Sequence, residues 1–320
     1  MNNIISFLRL IRLKNLIIVA LTQLLIKFSL INHFSKNFIL SNNQFYILVL
    51  ATLFITASGY IINDIYDVKT DKINKEKRRI IGKSITSSNA IRWYILFNFL
   101  GLGLGIYIAN IVENPYYSLI FIYCIFSLWS YSNRMKTSFL LGNLQVSILT
   151  ALSIFNVALF DILPNGINEN NGEMMILKII LFYAAFAFMI TFIREMIKDL
   201  EDIEGDKKIK ANTIAITLGI EKTKWVSLIL TIFTFLGTVY FQYFQYSITT
   251  SEFEYDIFIW GVNKISIIYV IFIQFLFLFL SFRIYNSKIK NHFYFISQLC
   301  KVIMIVGILS IPLFTHLHFK

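Results

Sequence analysis

The sequence has little proline, cysteine, histidine or charge. Three prolines in 320 residues, with almost no soluble-domain sequence between the apolar runs, leave no sign of a separate soluble domain. Cys124 and Cys300 both fall inside apolar stretches, so neither a disulfide framework nor a cysteine metal motif is present, and both read as small core residues. His33, His292, His316 and His318 have no ligand spacing near any carboxylate cluster and read as interface residues. Charged residues make up 15%, against 57% hydrophobic and 17% aromatic, with a mean hydropathy of +0.68. That balance excludes an ordinary soluble enzyme and identifies an integral membrane protein.

Nine apolar segments of nearly membrane-crossing length fall near 15–34, 44–63, 93–111, 116–132, 139–160, 174–194, 225–246, 257–282 and 293–315. The first lacks a small-residue cleavage site and opens in a basic helix start, so it counts as a span. A formal charge of +11 would suit a nucleic-acid partner, but its distribution argues against one. Lysine and arginine crowd alternate loops, with eight between 65 and 92 and seven between 194 and 224, while the intervening loops carry Glu113, Asp161, Glu169, Glu173, Glu252, Glu254 and Asp256. The positive-inside rule then puts the N-terminus in the cytoplasm and the C-terminus outside, in a cell inner or plasma membrane. No obligatory protein partner is evident.

Two stretches carry chemistry. Asp64, Asp67 and Asp71 are spaced i, i+3, i+7 where an apolar segment ends, which places three carboxylates on one helix face. Asp199, Asp202 and Asp206 repeat the spacing 135 residues later, at the end of another apolar segment. One acidic cluster alone would read as a solvated helix end. Two, each trailed by lysines, look like two metal sites around one polyphosphate, and oxygen-only ligands suit a hard divalent ion such as Mg²⁺. Asn63 adds a neutral carbonyl oxygen beside the first cluster. Lys72, Arg78, Arg79 and Lys83 follow it, and Lys136, Arg194 and Lys198 lie on the same predicted face. All are candidates to neutralise a diphosphate, though in any solvated loop such residues are also ordinary topology signal. Arg12 and Asn15 sit one turn apart where the first segment begins.

Asn15-Leu16 with Leu21-Thr22 recurs as Asn143-Leu144 with Leu149-Thr150. With the repeated carboxylates, this predicts a single domain over 1–320 built from two weak pseudo-repeats, about 9–136 and 137–290, of four spans each, plus a ninth. Gly101, Gly103 and Gly105 lie mid-span with no preceding strand, so they predict close helix packing and not a phosphate loop. The loop 161–173 reads as a polar outer connection without chemical residues. Aromatic residues of the last three spans could line an isoprenoid site, but packing against lipid or other helices explains them as well.

Asn63-Asp64-x-x-Asp67-x-x-x-Asp71 and Asp199-x-x-Asp202-x-x-x-Asp206 resemble the two aspartate motifs of the UbiA superfamily of intramembrane prenyltransferases, and the resemblance covers the whole chain. It implies an all-α bundle around a central cavity, with Mg²⁺ bridging the aspartates to a prenyl diphosphate. It also implies transfer of the prenyl group to a lipophilic acceptor. On that reading Asp64, Asp67, Asp199, Asp202 and Lys198 are catalytic. Asn63, Asp64, Asp67, Asp71, Asp199, Asp202 and Asp206 hold metal. Arg12, Asn15, Asn63, Lys72, Arg78, Arg79, Lys83, Lys136, Arg194 and Lys198 hold phosphate.

The wording Arg194-Glu195-x-x-Lys198-Asp199-x-x-Asp202-x-Glu204-Gly205-Asp206 is similar to the branch that joins a geranylgeranyl group to geranylgeranylglyceryl phosphate, an ether-lipid precursor. That branch usually has prolines after the first motif and near the start of the first span, where this chain reads Lys75-Glu76-Lys77-Arg78-Arg79-Ile80-Ile81 and Leu13-Lys14. Enzymes that prenylate aromatic quinone precursors share much of the wording, so that acceptor class is the alternative. A cation-coupled transporter is a third reading; it conflicts with carboxylates at helix ends, since transporters bind near the bilayer midplane.

Overall fold

A computed structural model describes residues 3–34, 39–68, 79–166, 173–249 and 263–318. Among them the regular structure is helical, apart from one isolated bridge between Ile81 and Ile85. α1 (Asn3–Leu10) leaves Ile4, Ile5 and Leu8 exposed. The chain breaks at Arg12, whose φ of 51° lies in the left-handed region, and α2 (Leu13–Leu25) starts there and runs on through a π-helical turn, Ile26–Ile31. Then follow α3 (Asn42–Tyr66), α4 (Ser87–Ile111), α5 (Leu119–Asn133), α6 (Leu141–Asp161) and α7 (Glu173–Glu201). Two short helices, α8 (Ile203–Lys208) and α9 (Ile214–Leu218), lead to α10 (Ile220–Thr249), α11 (Lys264–Tyr285) and α12 (Lys290–His318).

Side chains mark several helix starts. Ser41 and Gln44 form a reciprocal capping box at α3, with Ser41 N–H donating to Gln44 Oε1 at 2.8 Å. Thr86 accepts from Asn89 N–H at 3.3 Å at α4, and Asn263 accepts from Ile265 N–H at 2.9 Å at α11. Beyond the caps these sequences are almost wholly apolar, so backbone groups in lipid must pair within the helix.

Eight helices among the described residues are long and apolar enough to cross a membrane: α2 with its π turn, α3, α4, α6, α7, α10, α11 and α12. The chain is an integral membrane protein, with Phe99, Ile229, Ile268, Phe275 and Phe282 all exposed on its flanks. The segment expected at 116–132 divides into a 3₁₀ turn begun by Pro115 (Pro115–Ser118) and α5, which has 15 residues. At 1.5 Å per residue, α5 alone is about 22 Å long, against a hydrocarbon layer of about 30 Å. The segment expected at 257–282 begins outside the described residues and continues as α11.

α7 packs on α6, α10 and α12, and two buried clusters divide it along its length. Ile176, Ile180 and Ala184 meet Phe45, Leu48, Ile108 and Phe160 of α3, α4 and α6. Ile190, Ile193 and Ile197 meet Phe277 and Leu280 of α11 and Ile296 and Ile303 of α12. A third cluster joins Leu10 and Leu16 to Ala57, Ile61, Ile81 and Phe97.

Two of the three mid-span glycines behave as expected. A Cβ on Gly101 would come within 2.6 Å of Ile55 Cγ1, and one on Gly105 would run into the Phe121 ring, whereas Gly103 faces open space. Asp161 departs from expectation. It is not part of a polar outer loop but is fully buried at the end of α6, where its Oδ2 accepts from Lys27 Nζ at 2.6 Å. Its Oδ1 accepts from the N–H groups of Ile39 and Leu40 at 3.1 and 2.9 Å. A carboxylate at a helix end can be buried when an ammonium and two backbone donors satisfy it.

Candidate active site

A cavity of about 800 Å³ runs between α2, α3, α5, α6, α7 and α12. Its walls carry Ile18, Val19, Ile55, Leu128, Val146, Leu149, Met304 and Ile305, and one end gathers the aspartates of both motifs. The end of α3 supplies Asn63, Asp64 and Asp67, and the end of α7 with α8 supplies Asp199, Asp202 and Asp206.

At the first motif, Arg12 Nη2 donates to Asp64 Oδ1 at 3.3 Å, and its guanidinium lies 4.7 Å from the centre of the Tyr60 ring. Loss of bulk water works against the charge on Arg12, but Asp64 together with the Tyr60 and Tyr131 hydroxyls more than offsets this and raises its pKa above the ordinary value. Asn15 Nδ2 donates to the Tyr60 hydroxyl at 3.2 Å. Asn63 Nδ2 donates to Asp67 Oδ2 at 2.8 Å, and Lys136 Nζ donates to Asp67 Oδ1. The 3₁₀ turn Met135–Thr137 carries Lys136. Gly142 lies flush against that turn: a Cβ there would stand 2.8 Å from both Lys136 Cα and Met135 O.

At the second motif, Asn143 Nδ2 donates to Asp199 Oδ2 at 2.9 Å, and Thr213 Oγ1 donates to Asp206 Oδ2 at 3.3 Å. Glu195 is buried between two cations, with Arg194 Nη1 on its Oε1 at 2.6 Å and Lys198 Nζ on its Oε2 at 2.7 Å.

The cavity therefore brings together Arg12, Asn15, Asn63, Asp64, Asp67, Lys136, Arg194, Lys198, Asp199, Asp202 and Asp206. Arg79 and Lys83 do not line it; they border Ile80 and Ile81, and Ile81 is packed into the cluster beneath α1 and α3. Asp71, Lys72 and Arg78 lie outside the described residues. Sequence reasoning gave no site role to Glu195, Asn143, Tyr60 or Lys301, all of which border the cavity or touch its charged groups. The recurrence of Asn15 at Asn143 was the available signal for one of these.

The donors at this end are all oxygen atoms, a set suited to a hard divalent ion. Among the described residues no three carboxylates converge closely enough to hold an ion by themselves. Such a site fits an ion that completes its shell with water and with a ligand's phosphate oxygens.

Residues 34–299 match the UbiA prenyltransferase family. The digeranylgeranylglyceryl phosphate synthase of Sulfurisphaera tokodaii is 30% identical over 194 residues, 61% of this chain and 64% of that protein, so the match spans less than two thirds of that relative's length. The digeranylgeranylglyceryl phosphate synthase of Methanosphaera stadtmanae is 30% identical over 258 residues, 80% of this chain and 82% of the relative. Among solved structures, one concerned with digeranylgeranylglyceryl phosphate synthase in membranes superposes with a TM-score of 0.68 at 22% identity, covering 98% of this chain and 99% of that one. A UbiA homolog from Archaeoglobus fulgidus bound to DMAPP and Mg²⁺ gives 0.60 at 16% identity, covering 96% and 99%. These neighbours share the fold, and the family match spans most of the sequence. The chain belongs to the UbiA prenyltransferase family.

Proposed function

We propose that this protein transfers a prenyl group, geranylgeranyl in the specific case, from its diphosphate to a lipophilic acceptor, with Mg²⁺ as cofactor. The acceptor is geranylgeranylglyceryl phosphate and the product an ether-lipid precursor. One observation carries the reading: the aspartates of both motifs meet Arg12, Lys136, Arg194 and Lys198 at one end of a cavity whose walls are otherwise largely apolar. The names of the two relatives support the acceptor, and the DMAPP- and Mg²⁺-bound homolog supports the cofactor.

Asn63, Asp64, Asp67, Asp199, Asp202 and Asp206 would hold the ion, with Asp71 outside the described residues. When bound, Mg²⁺ neutralises charge growing on the departing diphosphate. Arg12 and Lys136 now pair with Asp64 and Asp67. They are placed to turn to phosphate oxygens once those carboxylates are engaged elsewhere. Arg194 and Lys198 supply a second pair of cations across the cavity. The apolar walls keep water from the allylic carbon while the C1–O bond breaks. The acceptor hydroxyl then bonds to C1, giving an ether, diphosphate and a proton.

Chain parity supports nine crossings. Asp67 ends α3 and Asp199 ends α7, and both face one end of the cavity. An even number of crossings between them requires α5, with its leading turn, to span as well. The positive-inside rule then puts both motifs and the N-terminus in the cytoplasm and the C-terminus outside a plasma membrane. Two pseudo-repeats, about 9–136 and 137–290, within one domain are supported by the backbone. Arg12 and Leu140, 128 residues apart, both have positive φ (51° and 57°) at the starts of α2 and α6.

The test uses radiolabelled prenyl diphosphate in membranes holding this protein, with geranylgeranylglyceryl phosphate, 4-hydroxybenzoate and homogentisate offered in parallel. Product is expected with the first, lost on chelation and restored by Mg²⁺. Asp67→Asn and Asp202→Asn are each expected to cut turnover about 10²-fold or more while the protein keeps its elution and melting profile. Product with an aromatic acceptor alone overturns the acceptor assignment. Undiminished transfer by both variants overturns the metal assignment.

A further inference from the structure

Lys301 is a cation within a membrane-spanning helix, α12, and it lines the cavity. Ionisable groups at such positions are costly unless paired or functional. The other cavity cations of the two motifs are engaged: Arg12 with Asp64, Lys136 with Asp67, and both Arg194 and Lys198 with Glu195. Lys301 has no ion-pair or hydrogen-bond partner among the described residues. It lies within electrostatic reach of Arg194, Lys198 and Arg12, and of the Glu195 carboxylate. Among the described residues Lys301 is thus a cavity-lining cation without an anionic partner of its own.

The rest of the same helix face indicates what kind of anion. Met304 and Ile305, at i+3 and i+4 from Lys301, also line the cavity. The α12 face thus reads as one cation followed by apolar surface within the cavity, the complement of an amphiphile with an anionic head. α12 brings no carboxylate into the cavity, so it adds no ligand of its own to a metal site. We infer that Lys301 receives the phosphomonoester head of the lipid acceptor and determines acceptor specificity, an inference that rests on the prenyl-transfer reading above.

The experiment measures equilibrium binding and steady-state transfer with the full chain in lipid nanodiscs. The probes are a prenylglyceryl phosphate and the uncharged alcohol made by removing its phosphate. Wild type is expected to bind the phosphate form at least about tenfold more tightly, as loss of a charged hydrogen bond implies. Lys301→Met should erase that difference and raise KM for the phosphate acceptor about tenfold. KM for the prenyl diphosphate should move less than about twofold, and Lys301→Arg should restore acceptor binding. Equal binding preference in wild type and Lys301→Met overturns the inference, as does a rise confined to KM for the prenyl diphosphate. A Lys301→Met variant that does not fold leaves Lys301→Gln to give the same readings. Loss of acceptor binding in a protein whose wild type makes no product would uphold the lysine's role and overturn the reaction.

Discussion

Glu195 shows how one buried side chain sets the electrostatics of its surroundings. Its carboxylate carries Arg194 and Lys198 together, at 2.6 and 2.7 Å. Removing one partner from a buried ionic cluster costs about 3–5 kcal/mol, because the charges left behind have lost their solvent and gained nothing. Glu195→Gln should therefore melt well below wild type. Inorganic pyrophosphate would supply the missing negative charge, so it should raise the variant's melting temperature more than that of the wild type. A thermal-shift series with and without pyrophosphate checks this, and equal shifts would sink the idea. Sequence reasoning weighed the pairing of Arg194 and Lys198 with Glu195 or Glu201 but favoured phosphate for both cations, whereas both lie on Glu195. Their i and i+4 spacing is as compatible with clasping the residue between them.

At the scale of elements, the turn that carries Lys136 and the start of α6 are locked together. A methyl group on Gly142 would meet backbone atoms at 2.8 Å, and backbone cannot swing aside as a side-chain tip can. Gly142→Ala should therefore displace Lys136 from Asp67 and raise KM for the prenyl diphosphate about tenfold, the scale of one charged hydrogen bond. Unchanged kinetics would show that the turn moves freely.

At the other end of the bundle, Lys27 ties α2 to α6 through Asp161 and reaches the Leu40 carbonyl at 2.9 Å. Lys27→Met should cost about 3–5 kcal/mol in unfolding measurements. Adding Asp161→Leu should not restore wild-type stability, because the N–H groups of Ile39 and Leu40 would lose their acceptor.

The carboxylate motifs were legible from spacing alone, since i, i+3 and i+7 select a helix face whatever surrounds it, and Arg12, Lys136, Arg194 and Lys198 from their place at the same helix ends. Lys301 was not. A lone lysine in an apolar run has no period of its own, and which side of α12 meets the cavity is decided by its packing against α7 and α11. The partnership of Lys27 with Asp161 was hidden for the same reason, as its members lie 134 residues apart.

For the whole molecule, the strongest constraint is which end of the bundle each loop occupies. In a background with Cys124 and Cys300 replaced by alanine, Lys207→Cys should react with an impermeant thiol reagent only from the cytoplasmic side, and Glu113→Cys only from outside. Labelling of both from one side would remove α5 as a crossing and leave the two motifs on opposite membrane faces.

Arg12 holds a left-handed backbone that costs an L-residue about 1–2 kcal/mol and glycine almost nothing. Natural drift at this position therefore faces opposite pulls, since the cheapest residue for the chain is useless to Asp64. Arg12→Gly should yield a protein at least as robust as its parent yet poor at gripping diphosphate, whereas Arg12→Lys keeps both the strain and the charge. Sequences that have relinquished the reaction but kept the fold should carry glycine or asparagine at this hinge.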